Sequence, residues 1–98
     1  MAAYNNPPLI SAIRDKNIVE CRRLIDTGEA NVNGDRDHDG RTALHWASVK
    51  SYLEISELLT SSGADVNIRY SGGGYTALHY ASMYGSLEIV QLLAMPGS

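Results

Sequence analysis

Apolar residues recur along this chain at the spacing of a single helix face. Ile55, Leu58 and Leu59 stand at i, i+3 and i+4, and the same spacing returns as Cys21, Leu24, Ile25 and as Ile89, Leu92, Leu93. The pattern predicts paired short helices, one from about Thr42 to Lys50 and the next from about Leu53 to Ser61. Gly28 and Gly63 follow two of these patterns at the point where a left-handed residue ends a helix, so each unit closes in a turn.

The helix pairs repeat as sequence too. Gly40-Arg41-Thr42-Ala43-Leu44-His45-Trp46-Ala47-Ser48 matches Gly74-Tyr75-Thr76-Ala77-Leu78-His79-Tyr80-Ala81-Ser82 at an offset of 34 residues. Leu53-Glu54-Ile55 and Leu58-Leu59 return as Leu87-Glu88-Ile89 and Leu92-Leu93, with a weaker echo upstream at Ile18-Val19-Glu20 and Leu24-Ile25. Three units result, at about 7–36, 37–70 and 71–98. One such pair cannot bury its apolar face alone, so neighbouring pairs stack and their stripes fuse into an elongated core.

Thr42-Ala43-Leu44-His45-Trp46-Ala47 and Thr76-Ala77-Leu78-His79-Tyr80-Ala81 resemble the Thr-Pro-Leu-His-x-Ala motif of ankyrin repeats. Gly63-Ala64-Asp65-Val66-Asn67 is similar to that family's unit ending. The resemblance implies an all-α fold, an ankyrin repeat solenoid of helix-turn-helix units joined by β-hairpin-like loops. The chain departs from the family in having alanine for the motif proline, in a spacing one residue longer, and in a first unit reading Leu9-Ile10-Ser11-Ala12. The extra residue is expected in the loop from Ile68 to Gly73. The first unit reads as a cap, opened by Pro7-Pro8 and faced by Arg14, Asp15, Lys16, Glu20, Arg22, Arg23 and Asp26. Met95-Pro96-Gly97-Ser98 falls where the third unit's ending is due, so the sequence reads as part of a longer array. Part of the Ile89/Leu92/Leu93 side is then expected to lack a neighbour.

Composition narrows the function. With 44% hydrophobic and 19% charged residues the chain folds rather than forming a disordered charged tail. Its formal net charge is -3 and its basic residues are scattered, so phosphate-dominated binding to nucleic acid is not expected. No apolar run approaches the roughly 20 residues of a membrane span, and no membrane partner is expected. The single cysteine, Cys21, cannot form an internal disulfide and the start lacks a secretory pattern, so a cytoplasmic or nuclear location is the expectation.

Candidate chemistry is sparse, and neither an enzyme nor a cofactor or metal site is expected. Asp35-Arg36-Asp37-His38-Asp39-Gly40 opens like a calcium loop, yet the position that must supply a bidentate glutamate is Trp46; the segment reads as an acidic hairpin tip. His45 and His79 stand three residues after Thr42 and Thr76, a capping box in which imidazole replaces glutamate, with no base-orienting partner for catalysis. In ankyrin proteins this histidine also ties its loop to the neighbouring repeat. Cys21 lies on an apolar stripe and reads as a buried small hydrophobe. Gly72-Gly73-Gly74 lacks phosphate-loop spacing and reads as a hairpin tip.

The resemblance implies another protein or peptide as partner, held by hairpin tips and by the concave face of the first helices. Carried onto this sequence, the tips are His38, Asp39 and Arg41 in the second unit and Gly72, Gly73 and Tyr75 in the third; the helix ends are Val49, Lys50, Met83 and Tyr84. Trp46 and Tyr80 are expected to fill the core between repeats. The alternative is a structural fragment that forms a homodimer through its C-terminal repeat by burying Leu92 and Leu93.

Overall fold

A computed structural model describes residues 5–70 and 72–94. Among these residues lie six helices: α1 (Pro8–Arg14), α2 (Ile18–Asp26), α3 (Ala43–Lys50), α4 (Leu53–Ser61), α5 (Ala77–Met83) and α6 (Leu87–Ala94). They pair in sequence order, and the pairs stack: α1, α3 and α5 form one layer, α2, α4 and α6 the other. The expected all-α solenoid is the observed architecture, and the expected chain end at Met95-Pro96-Gly97-Ser98 lies outside the described residues.

Helix starts follow from capping chemistry. Thr42 and Thr76 sit in extended backbone and accept the N–H of His45 and His79, which fixes the first turns of α3 and α5. Pro8 occupies the first turn of α1, where a missing N–H costs nothing. The two helices of a pair are joined through one left-handed residue: Lys16 at φ 56°, Ser51 at φ 60° and Gly85 at φ 68°. Replacing Gly85 with alanine is expected to cost about 1 kcal/mol, the left-handed penalty alone, because an added Cβ meets no atom within 4 Å. A denaturant melt checks this; a loss several times larger would mean the turn depends on more than backbone freedom.

Each layer buries its apolar stripe against the next pair. Leu9, Ile10 and Ile13 of α1, Cys21 and Leu24 of α2, Leu44 of α3 and Ile55 and Leu59 of α4 form one continuous core. Ala43, Ala47, Ala77 and Ala81 are small and buried, which lets the inner helices approach closely. Cys21 is the buried hydrophobe that its spacing predicts; burial pushes its thiol up to about 11, far from a reactive thiolate. In the first unit Arg14, Asp15, Lys16, Arg22, Arg23 and Asp26 are exposed and Glu20 half-exposed.

One expectation is corrected here for two of its three residues. Ile89 and Leu93 do not lie open at the end of the stack: they are 1% and 5% exposed, turned inward to the common core with α4, whereas Leu92 is half-buried. The i, i+3, i+4 rule identifies their face, but the preceding unit already covers it. Among the described residues, the large exposed apolar side chains of the third unit are instead Leu87, Met83, Tyr84 and Tyr75.

Candidate protein-binding face

Two hairpin turns project from the inner-helix layer. In the first, the Asp37 N–H donates to the Arg41 carbonyl at 3.0 Å, and Arg36 pairs with Thr42 in an antiparallel bridge. In the second, the Tyr70 N–H donates to the Tyr75 carbonyl at 3.1 Å. The closing pair spans four positions in the first hairpin, from 37 to 41, and five in the second, from 70 to 75, which places the extra residue of the longer repeat in the predicted loop. Gly72 and Gly73 belong to this turn, where an added Cβ would run into the Tyr70 ring at position 72 and into the Tyr70 hydroxyl at position 73, so both positions have a packing role besides their place at the tip.

The first turn is organised by Asp37, a residue that the sequence reading left as part of an acidic tip. Its carboxylate is buried. Oδ1 accepts the N–H groups of Asp39 and Arg41, each at 2.9 Å, and Oδ2 accepts the indole N–H of Trp46 at 2.8 Å. The aspartate therefore shapes its own turn and fastens that turn to α3. The spacing of an aspartate two residues before Asp39-Gly40 is the local signal that could have suggested it. Arg41 Nη1 in turn reaches Asp39 Oδ2 at 3.1 Å and lies 3.8 Å from Asp37, while His38 points outward beside Asp39.

In the second hairpin Tyr70 takes the place of Asp37. Its ring stacks on Tyr80 at 5.8 Å, with Tyr75 at 6.2 Å and the edge of His45 at 6.0 Å. The Arg41 guanidinium covers its other surroundings, 5.0 Å from the ring centre, and Arg41 Nε lies 3.4 Å from the Tyr80 hydroxyl. The Tyr80 contact is the main reason that the guanidinium holds its proton still more firmly, and burial raises the Tyr80 phenol. Arg41 is thus half committed to the framework. Tyr80 is buried as expected, whereas Trp46 is half-buried and faces the groove described below.

His45 joins the two hairpins. Its Nδ1 accepts the Thr42 N–H at 3.0 Å, which leaves the proton on Nε2; that N–H donates to the Tyr75 carbonyl at 2.9 Å. Burial holds the imidazole below its ordinary value of 6.5, and Arg36 and Arg41 add to the effect. As pH falls through 6.5 the unfolded chain takes up a proton that the folded His45 resists, so stability declines on the acid side. Melts from pH 7.5 to 5 should therefore show a steeper acid-side loss of stability in the wild type than in His45→Gln.

The expected binding residues divide into groups. Arg41, Val49, Lys50 and Tyr84 come together with Trp46 and Tyr80 around a groove of about 170 Å³ between α3 and α5. Trp46 and Tyr80 were read as core alone, yet both line this groove. Tyr75 and Met83 lie apart from it on the outer side of α5, with Leu78 and His79. His38, Asp39, Gly72 and Gly73 remain at the tips and line neither groove.

A family model described as ankyrin repeats, in many copies, matches residues 44–94. The palmitoyltransferase AKR1 of Yarrowia lipolytica is 46% identical over 46 residues, a segment that is 47% of this chain and 6% of that protein. The chain thus spans a small fraction of the length of this relative. The residues matched by the family model run from the first turn of α3 to the end of α6 and include the second hairpin, with His45 and its Tyr75 acceptor among them. The chain belongs to the ankyrin repeat family.

Proposed function

We propose that this chain is a recognition module that holds another protein or peptide on its concave side, without catalysing a reaction. Ankyrin repeats generally mediate protein–protein interaction, and the groove between α3 and α5 supports the finer reading. Trp46, Tyr80 and Tyr84 offer rigid apolar area there, and Lys50 adds an exposed cation beside the half-committed Arg41. The relative's transferase activity is not assigned to this chain, because the shared segment is 6% of that enzyme. A reducing, intracellular setting fits the single buried Cys21.

Tyr84 is the residue to remove first, because it lines the groove while its ring is 59% exposed. Tyr84→Ala is expected to weaken partner binding by roughly tenfold or more while leaving the denaturation midpoint nearly unchanged. Arg22→Glu on α2 serves as the control surface change. A partner retained by wild type and the Arg22 variant but lost by Tyr84→Ala supports the groove. Equal retention by all three forms would remove it as the binding site.

A further inference from the structure

Charge is divided between the two layers of helices. The inner helices α1, α3 and α5 carry Arg14 and Lys50 and no carboxylate, whereas α4 and α6 carry Glu54, Glu57 and Glu88 and no cation. On α2, Glu20 and Asp26 stand against Arg22 and Arg23, and just past α1 Asp15 pairs with Arg14 at 3.4 Å. The hairpins add Arg36, Arg41 and Arg69 to the inner side, against Asp37 and Asp39. The side that holds the groove between α3 and α5 is therefore the more basic of the two, although the whole chain has a formal net charge of -3.

The groove repeats that bias at close range. Its lining of Arg41, Trp46, Val49, Lys50, Tyr80 and Tyr84 contains no carboxylate and no carboxamide. The Trp46 indole N–H is taken by Asp37 at 2.8 Å, and Arg41 is shared among Asp39, the Tyr70 ring and the Tyr80 hydroxyl. Lys50 differs from both. It is exposed, and among the described residues its ammonium has no ion-pair or hydrogen-bond partner. The cavity of about 170 Å³ is smaller than the roughly 300 Å³ at which sites for drug-sized molecules begin, and it suits one large side chain.

We propose that the groove takes an acidic peptide, which seats one large apolar side chain among Trp46, Tyr80 and Tyr84 and sets a neighbouring carboxylate on Lys50. The assignment rests on the reading of this groove as the binding site. A carboxylate there meets a cation that no group of the described chain neutralises, and Arg41 at the same groove adds to the attraction. A basic peptide would bring its charge against both cations, with Asp39 already committed to Arg41 and Asp37 buried. A neutral apolar peptide would fill the cavity and gain nothing from Lys50.

The test pans a phage library of random peptides against the full chain as wild type, Tyr84→Ala, Lys50→Glu and Lys50→Gln. Wild type should enrich peptides in which Asp or Glu stands beside Leu, Met, Phe or Trp, and Tyr84→Ala should lose them. Lys50→Glu should hold those peptides roughly tenfold more weakly and enrich Lys or Arg beside the apolar residue instead. Lys50→Gln, which removes the charge without reversing it, should enrich neither sign. Lys50 is exposed in the last turn of α3, so both variants should melt close to the wild-type midpoint. Binders that depend on Tyr84 yet show no acidic enrichment, or that Lys50→Glu holds as tightly as wild type does, overturn the acidic assignment and leave the groove as the binding site. Binders indifferent to Tyr84→Ala, or none at all, remove the groove reading and this assignment with it.

Discussion

His45→Ala is expected to lower folding stability by about 3–4 kcal/mol, whereas His79→Ala, the same change one repeat later, lowers it by about 1 kcal/mol. The two histidines occupy identical capping boxes at α3 and α5, so the capping contribution cancels in the comparison. What differs is the surroundings. The His45 ring is 1% exposed, donates to the Tyr75 carbonyl at 2.9 Å and meets Tyr70 and Tyr80 edge-on at 6.0 and 5.8 Å. Alanine there strands a carbonyl and opens a cavity among aromatic rings, each worth about 1–2 kcal/mol.

The damage falls on an interface between units, which changes the form of the transition as well as its midpoint. Stacked repeats owe their cooperativity to nearest-neighbour interfaces. His45→Ala should therefore lower the denaturant slope as α5 and α6 unfold ahead of the rest, while His79→Ala keeps a single transition. Urea melts followed by circular dichroism measure both quantities. Equal losses in the two variants would mean that the cap alone accounts for the histidine, and the tie between hairpins would contribute nothing.

Helix positions were legible in the sequence because their signals are local. A threonine three residues before a histidine sets the start of α3 and α5, and apolar spacing sets the face of α4 and α6. The direction in which that face is covered was not legible, which is why Leu93 was placed at the open end although it is 5% exposed. Periodicity within one helix carries no information about which neighbour lies over it. Tyr70 was overlooked for a related reason: its ring meets Arg41, His45 and Tyr80, and only the stacking of two hairpins brings those residues together. The groove residues Arg41, Val49, Lys50 and Tyr84 were named from the family resemblance, while the contribution of Trp46 and Tyr80 to the same groove needed the packed structure.

Asp37→Ala is expected to cost about 2–4 kcal/mol, a large loss for a residue in a surface turn. The reason is the number of donors on one buried carboxylate: the Asp39 and Arg41 N–H groups at 2.9 Å each and the Trp46 indole at 2.8 Å. Bonds to an ionised acceptor are stronger than neutral ones, and all three go at once. Asparagine is not a gentle substitute. It keeps an acceptor for the turn, but its NH₂ then faces the Trp46 N–H, donor against donor, so Asp37→Asn should still lose about 1–3 kcal/mol. Trp46 is the one tryptophan of the chain, so its fluorescence reports on this contact directly. Both variants should shift its emission under native conditions, before any global unfolding. A variant that melts at the wild-type midpoint with unaltered emission would show that Asp37 neither shapes the turn nor holds it to α3. In that case the orientation of the first hairpin, and with it the position of Arg41 at the rim of the groove, would have to come from the Arg36 to Thr42 pairing alone.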